Sequence, residues 1–206
     1  MKIIIIGNGG QARSCLDVIN TIKKIKFSGF VSKLKEDGVI GSDNNLKEDG
    51  VIGSDNNLKE IRKKFNNAII GVGQIKSPLL RKKIYKNLND LNFNFPVIIS
   101  PYSYVSKNSI INEGTIVMHN VSVNYGVNIG KHCIINTSSI IEHDVYVDDF
   151  CHISTGVILN GGVKIGNGSF IGSGTIIKEN VKIGKNCVIG MGSVIKRNLP
   201  DNAIIR

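Results

Sequence analysis

The sequence predicts a small α/β unit in the first half of the chain and a parallel β-helix in the second half. Two observations support this prediction. Candidate strands alternate with candidate helices before residue 99, and an aliphatic residue recurs at every sixth position from Val105 to Ile195. We therefore expect two domains, residues 1–98 and residues 99–206.

The first part begins with a buried strand at Lys2–Gly7, which is followed by a helix over Ala12–Lys23 with one apolar face. Further strands are predicted at Lys26–Val31 and Ala68–Val72, and a second helix at Ser77–Leu91. Strands and helices that alternate in this way are typical of a parallel sheet covered by helices.

The turn after the first strand has the pattern Gly7-x-Gly9-x-x-Ala12, which formally matches the dinucleotide-binding fingerprint. That fingerprint also requires an acidic residue at the end of the second strand, where Ser32 and Lys33 stand instead. A nicotinamide cofactor is therefore not predicted. Backbone N–H groups at a helix start can still bind a phosphate or another anion.

Residues 35–46 and residues 47–58 have the same twelve-residue sequence, KEDGVIGSDNNL. A perfect tandem copy of this kind indicates a duplication within a loop and not a repeat of the fold. We expect one copy to supply a strand and the other to form a polar surface loop, because exposed loops tolerate insertions.

The second half is built on a repeat of six residues, a period that fits neither a helix nor a single strand. It fits a short strand followed by a tight turn. A small residue or valine stands two positions before each aliphatic residue, so both point to one side of the strand. Gly or Asn often follows, as suits a turn with positive φ. This is the hexapeptide signature of a parallel β-helix, with about 18 residues in each triangular coil.

Three of the four cysteines, Cys133, Cys151 and Cys187, occupy the small-residue position of this repeat and lie whole coils apart. We expect them to be reduced packing residues in one interior column. The histidines show no recurring ligand spacing, so no metal site is predicted. His119 and His132 are expected at the surface without a ligand role.

The net charge of +10 comes mainly from residues 1–98, which contain 17 Lys+Arg and 9 Asp+Glu. A basic surface attracts phosphates, but the chain has no Trp and no basic stripe interleaved with aromatic residues, so nucleic-acid binding is not predicted. No apolar run approaches the ~18 residues of a membrane span, and the apolar start is too short for a signal peptide. The predicted compartment is the cytoplasm.

The β-helix contains Asn136, then Glu142-His143-Asp144, then His152 nine residues after the first histidine. With the N-terminal glycine turn, this motif resembles the bacterial sugar acetyltransferases that include sialic acid O-acetyltransferases and nucleotide 4-amino-sugar N-acetyltransferases. The resemblance covers nearly the whole chain. It implies a left-handed β-helix, a homotrimer, and acetyl-CoA bound in the groove between neighbouring helices.

The resemblance also implies roles for individual residues. His143 corresponds to the general base of direct acetyl transfer, and Asp144 to the acid that raises its basicity. His152 corresponds to the histidine that contacts the thioester region of CoA. Ser173 and Met191 are expected to contact CoA from later coils.

On the acceptor side, the resemblance places Asn136 near the sugar, and Gly9, Gly10 and Gln11 against the sugar or its phosphate. The usual histidine of this glycine turn is Gln11 here. The acidic pair that holds uracil in nucleotide-sugar members is also missing. Together with residues 153–161, which resemble the sialic acid branch, these departures favour O-acetylation of sialic acid.

Two other functions stay open at this point. One is N-acetylation of a nucleotide-linked 4-amino sugar by the same residues. The other is a non-catalytic β-helix that acts as a scaffold or binding protein. A nucleotidyltransferase is not predicted, because the first half is too short and lacks a long phosphate-binding loop.

Overall fold

The computed structural model describes residues 1–32 and 50–206, which divide into two compact units. The first unit comprises Met1–Gly73 and Lys83–Pro96, and the second comprises Gln74–Lys82 and Val97–Arg206. Residues 74–82, which the sequence places in the first domain, thus belong to the compact unit that contains the β-helix. This assignment matters below, because two of these residues contact the candidate site.

The first unit is a four-stranded parallel sheet in the order β3-β2-β1-β4, as the alternating pattern predicts. The elements are β1 (Lys2–Ile6), α1 (Gly10–Asn20), β2 (Lys26–Val31), β3 (Val51–Gly53), a 3-10 turn (Asp55–Asn57), α2 (Leu58–Lys64), β4 (Ala68–Ile70) and α3 (Leu79–Asp90). Helix α2 was not anticipated. Only Leu58 and Ile61 of its seven residues are buried, so its apolar periodicity is weak.

The second copy of the duplicated segment provides an edge strand of this sheet. Strand β3 lies within that copy and pairs in parallel with β2. The first copy, residues 35–46, and Lys33 lie outside the described residues. The prediction that one copy supplies a strand is confirmed, and the prediction of a polar loop for the other stays a prediction.

The second unit contains a parallel β-helix with three sheets, which we call faces 1, 2 and 3. Face 1 consists of β5 (Ile98–Ile99), β8 (Ile116–Val117), β11 (Ile134–Ile135), β14 (His152–Ile153), β17 (Phe170–Ile171), β20 (Val188–Ile189) and β22 (Ile204–Ile205). Face 2 consists of β6 (Tyr104–Val105), β9 (Ser122–Val123), β12 (Ile140–Ile141), β15 (Ile158–Leu159), β18 (Ile176–Ile177) and β21 (Val194–Ile195). Face 3 consists of β7 (Ile110–Ile111), β10 (Asn128–Ile129), β13 (Tyr146–Val147), β16 (Lys164–Ile165) and β19 (Lys182–Ile183).

The turns between these faces form three corners, and each strand pairs with the strand 18 residues further on, as Ile140 does with Ile158. Corner 1 leads from face 1 to face 2, corner 2 from face 2 to face 3, and corner 3 from face 3 back to face 1. Residues that differ by 18 therefore form a column along each corner. This geometry decides which side chains meet.

The interior is the stripe that the hexads predict. The aliphatic residue and the small residue two positions before it are both buried in one continuous core. Cys133, Cys151 and Cys187 lie in it, as expected, and each thiol donates to a main-chain carbonyl of the following coil. Burial raises the pKa of the Cys151 thiol well above its ordinary value, so this residue stays protonated and packs.

The turns correct one expectation. Positive φ occurs three residues after the aliphatic position, as at Asn120 and Asp144, and not at the Gly or Asn that directly follows it. Glycine is needed there because coils approach closely: a Cβ on Gly166 would lie 2.6 Å from the carbonyl carbon of Gly184. Asn at the same position, such as Asn160, instead donates its Nδ2–H to a carbonyl of the next coil.

Residues 74–82 cap corner 3 of the β-helix. The Gln74 side chain donates to the carbonyls of Phe150 (2.9 Å) and Gly168 (3.0 Å), and the buried Arg81 donates to the carbonyl of His132 (2.6 Å). The expectation that His132 is a surface residue is wrong. Its ring is buried and stacks on Phe150, and burial, with Arg81 nearby, lowers the pKa of His132 to about 4.

Candidate active site

His143 lies on corner 2, where the sequence places it on a solvent-facing turn. Its Nδ1 lies 3.0 Å from Oδ2 of Asp144, and its side chain is 62% exposed. A carboxylate at Nδ1 favours the tautomer with the proton on that nitrogen. Nε2 is then left as the basic atom, so the pair has the arrangement of a general base and its orienting acid.

The imidazole of His143 lies over Gly161, which occupies the same column one coil later. A Cβ on Gly161 would lie 2.6 Å from both Cε1 and Nε2 of His143. Any larger residue there would displace the ring. Gly161 was not among the predicted site residues, although counting one coil of 18 residues from His143 identifies it.

A second carboxylate is held beside the base. Asn124, one coil before Glu142, donates its Nδ2–H to Oε2 of Glu142 at 2.9 Å, and its own Oδ1 accepts the N–H of Tyr125 at 2.7 Å. Corner 2 therefore carries an ordered acidic residue on each side of His143. Both favour a positive charge on the imidazole during proton transfer.

Asn136 lies on corner 1, and His152 lies on face 1 beside it. The side chains meet at 3.3 Å between Asn136 Nδ2 and His152 Nε2, and His152 Nδ1 lies 2.6 Å from the carbonyl oxygen of Gln74. His152 is only 6% exposed, and burial lowers its pKa to about 4 although the hydrogen bond to Gln74 opposes this. Both ring nitrogens thus have partners within the chain.

Ser173 and Met191, the residues predicted to contact CoA, lie one coil apart in the column of corner 1. Met191 is 84% exposed. The Ser173 hydroxyl lies 2.9 Å from that of Ser154 in the preceding coil. This corner therefore offers an accessible thioether above a pair of hydroxyl groups, where a ligand can approach.

The glycine turn belongs to the first unit. Gly9 is the N-cap of α1, and Gly10 is the first residue of that helix. A Cβ on either glycine would meet nothing within 4 Å, so both border open space. Gln11 donates its Nε2–H to the Cys15 thiol at 3.7 Å. Together these residues leave the helix start accessible.

Within the β-helix, the structure groups the predicted residues in two places. His143 and Asp144 lie on corner 2, whereas Asn136, Ser173 and Met191 lie on corner 1, one full face away. Among residues 1–32 and 50–206, no cluster of His, Cys, Asp and Glu is arranged to hold a metal ion. Gln74 was missed as a partner of His152, since nothing in its sequence context points to a residue 78 positions away.

Two family models match the chain. Residues 2–88 match the PglD N-terminal domain, and residues 162–197 match the bacterial transferase hexapeptide model of six repeats. The acetyltransferase domain of PglB from Neisseria gonorrhoeae, solved with acetyl coenzyme A, is 30% identical with a TM-score of 0.84; the match covers 98% of this chain and 94% of that one. The chain belongs to the sugar acetyltransferases built on a left-handed β-helix of hexapeptide repeats.

A second relative of this family is a perosamine N-acetyltransferase from Caulobacter crescentus, solved as a histidine-to-asparagine variant with CoA and GDP-perosamine. It is 28% identical, with a TM-score of 0.88, and the match covers 99% of this chain and 92% of that one. WeeI from Acinetobacter baumannii shares the fold at 21% identity, with a TM-score of 0.81 and coverage of 99% and 96%.

Family membership confirms that the chain is an acyltransferase, and the non-catalytic scaffold is set aside. The two relatives solved with CoA or its acetyl ester confirm the acyl donor expected for the family. In the part of the chain that the structure describes, the helices are too short or too polar to cross a membrane.

We predict that Gly161→Ala lowers kcat on the order of 10²-fold, a loss that a misplaced catalytic group of about 1 Å can cause. The added methyl must push the His143 ring aside. The backbone φ of Gly161 lies outside the left-handed region, so alanine fits the main chain and the thermal unfolding midpoint should stay close to that of the wild type. Steady-state kinetics and thermal denaturation check both parts.

A double variant provides the control for this prediction. If Gly161 acts only through the ring of His143, Gly161→Ala should cause no further loss in a His143→Ala background. An independent, additive loss in the double variant would contradict the steric explanation.

Proposed function

We propose that this acetyltransferase transfers the acetyl group of acetyl-CoA to the amino group of a nucleotide-linked 4-amino sugar. The support comes from the perosamine N-acetyltransferase, which matches nearly the full length of the chain and was solved with GDP-perosamine. This replaces sialic acid O-acetylation, which the sequence favours, with the alternative that it leaves open. We also propose the cytoplasm as the compartment.

The observation that carries the proposal is the pair of His143 and Asp144, with Nδ1 held at 3.0 Å and Nε2 left as the basic atom. The sugar amine attacks the thioester carbonyl carbon, so that a C–N bond forms and the C–S bond breaks. His143 Nε2 accepts the proton that the nitrogen loses and returns it to the departing CoA thiolate. Direct transfer of this kind requires no Ser or Cys nucleophile.

The remaining predicted residues keep proposed roles. Ser173 and Met191 would contact CoA on the accessible part of corner 1. Gly9, Gly10 and Gln11 would face the acceptor, because the glycines border open space at the start of α1 and a helix N-terminus favours an anion such as a nucleotide phosphate.

An acceptor screen tests the proposed function. Thiol release from acetyl-CoA should be fast with UDP- or GDP-linked 4-amino sugars and near background with free sialic acid or its nucleotide form. Mass spectrometry of the product should show one added acetyl group on the amine. Fast turnover of sialic acid, with none of the amino sugars, would restore O-acetylation.

We expect His143→Ala to lower kcat by on the order of 10²–10⁴-fold, the usual contribution of a positioned general base. The wild-type rate should rise with pH through one titration in the neutral range where histidines ionise, and that limb should be absent in the variant. Asp144→Asn should cause a smaller loss, because an amide balances the imidazolium less well.

The fold of this variant should be unchanged, because the side chain points out of the core and packs only on Gly161. CoA binding, measured by calorimetry, should survive. A His143→Ala enzyme with near wild-type kcat and the same pH profile would show that another group is the base.

We also propose that the protein is a homotrimer whose site lies between subunits. Face 2 carries an apolar ladder of outward side chains, in which Tyr104, Ile140, Ile176 and Val194 are exposed. Continuous apolar surface of this kind marks an interaction site. In addition, the base lies on corner 2 and the CoA contacts on corner 1, so a neighbouring subunit is needed to bring the two sets together.

Mixing two inactive variants tests this arrangement. In a 1:1 mixture of His143→Ala subunits with Ser173→Trp subunits, random assembly leaves about a quarter of the interfaces with two intact corners. Activity should therefore return on mixing, after a step that lets subunits exchange. No recovery in proven mixed trimers, or a fully active monomer in sedimentation, would contradict a shared site.

A further inference from the structure

His152 has a defined proton position. A main-chain carbonyl can only accept a hydrogen bond, so the 2.6 Å contact with Gln74 O places a proton on Nδ1 of His152. The ring is neutral at neutral pH, because burial lowers its pKa to about 4. A neutral ring with a proton on Nδ1 has a bare Nε2, which accepts hydrogen bonds and cannot donate them.

The partner of this bare nitrogen is the carboxamide of Asn136. Nδ2 of Asn136 lies 3.3 Å from Nε2 of His152, and Oδ1 accepts the N–H of Thr137 at 2.9 Å. Both ends of the amide are therefore oriented by the chain. The second hydrogen on Nδ2 and the second lone pair on Oδ1 stay available on corner 1.

Other asparagines in the same position of the repeat behave differently. Asn112 and Asn160 each donate Nδ2–H at 2.7 Å to a carbonyl of the next coil, to Ile129 and Ile177 respectively. Those bonds join neighbouring coils. At Asn136 the amide is directed to His152 instead, so the repeat gives up an inter-coil hydrogen bond to hold one carboxamide in a particular orientation.

We propose that His152 is a positioning residue: the Gln74 carbonyl selects its Nδ1–H form, and its bare Nε2 holds the Asn136 carboxamide in the orientation that the acceptor sugar meets. The kinetic part of this inference rests on the proposed function. It differs from the contact with CoA that the family resemblance implies, because a bare Nε2 cannot donate a hydrogen bond to the thioester oxygen.

Two substitutions separate the two ends of the His152 ring. In His152→Asn, the amide N–H takes the place of Nδ1–H and keeps the bond to Gln74, but nothing accepts from Asn136. In His152→Gln, the amide oxygen takes the place of Nε2 and keeps the bond to Asn136, but the Gln74 carbonyl loses its donor. The two variants therefore exchange a stabilising contact for an orienting one.

With a GDP- or UDP-linked 4-amino sugar as acceptor, His152→Asn and Asn136→Ala should each lower kcat/KM for the acceptor by about tenfold, the factor expected for one hydrogen bond. The KM for acetyl-CoA should stay within about twofold, and the double variant should lose no more than Asn136→Ala alone. His152→Gln should retain most of the activity although its unfolding midpoint falls below that of His152→Asn. Asn112→Ala is the control: it should lower stability and leave the kinetic constants unchanged.

Several results would overturn the proposal. One is a kinetic loss that follows stability, with His152→Gln as impaired as His152→Asn. Another is a rise in the KM for acetyl-CoA alone, which would place His152 against the donor.

A ring ¹⁵N spectrum gives a readout that needs no substrate. The His152 signal, assigned by its disappearance in His152→Gln, should show a protonated Nδ1 and a bare Nε2 at neutral pH, and the reverse tautomer would also overturn the proposal. If the wild type acetylates none of the sugars, the proposed function fails while this tautomer measurement still stands.

Discussion

The structure depends on one constraint, the fixed length of 18 residues in each coil of the β-helix. Main-chain N–H groups of one coil donate to carbonyls of the next, as Ile140 does to Val157 at 2.8 Å and Glu142 to Leu159 at 2.9 Å. Every side chain on a corner is therefore stacked on the residue 18 positions later. A bulky functional group requires a neighbour that gives it room, and Gly161 beneath His143 meets that requirement.

The same constraint divides the work among the corners. Corner 3 is capped by residues 74–82, whose Gln74 and Arg81 side chains satisfy main-chain carbonyls that the tight turns leave without a partner in the helix itself. Corners 1 and 2 keep exposed polar side chains instead. Residues that must act together in acetyl transfer stand on both, which is why the reaction of this family is better served by two neighbouring subunits than by one.

Two histidines only nine residues apart have opposite surroundings. His143 is exposed and its Nδ1 faces a carboxylate, which favours the protonated ring during transfer. His152 is buried, its Nδ1 faces a neutral carbonyl, and its pKa falls to about 4, so it remains neutral. Environment thus assigns one ring to move a proton and the other to orient a neighbour, although both follow the same motif in the chain.

The sequence by itself determined the parallel sheet, the coil, the interior cysteines and the exposed position of His143, because the period of six encodes which side chains point inward. It also contained Gly161, one coil from the base. Only the tertiary structure revealed that His132 is buried and that Gln74 orients His152. These contacts join residues 51 and 78 positions apart. They depend on where a non-repeating segment packs, and no periodic pattern records that.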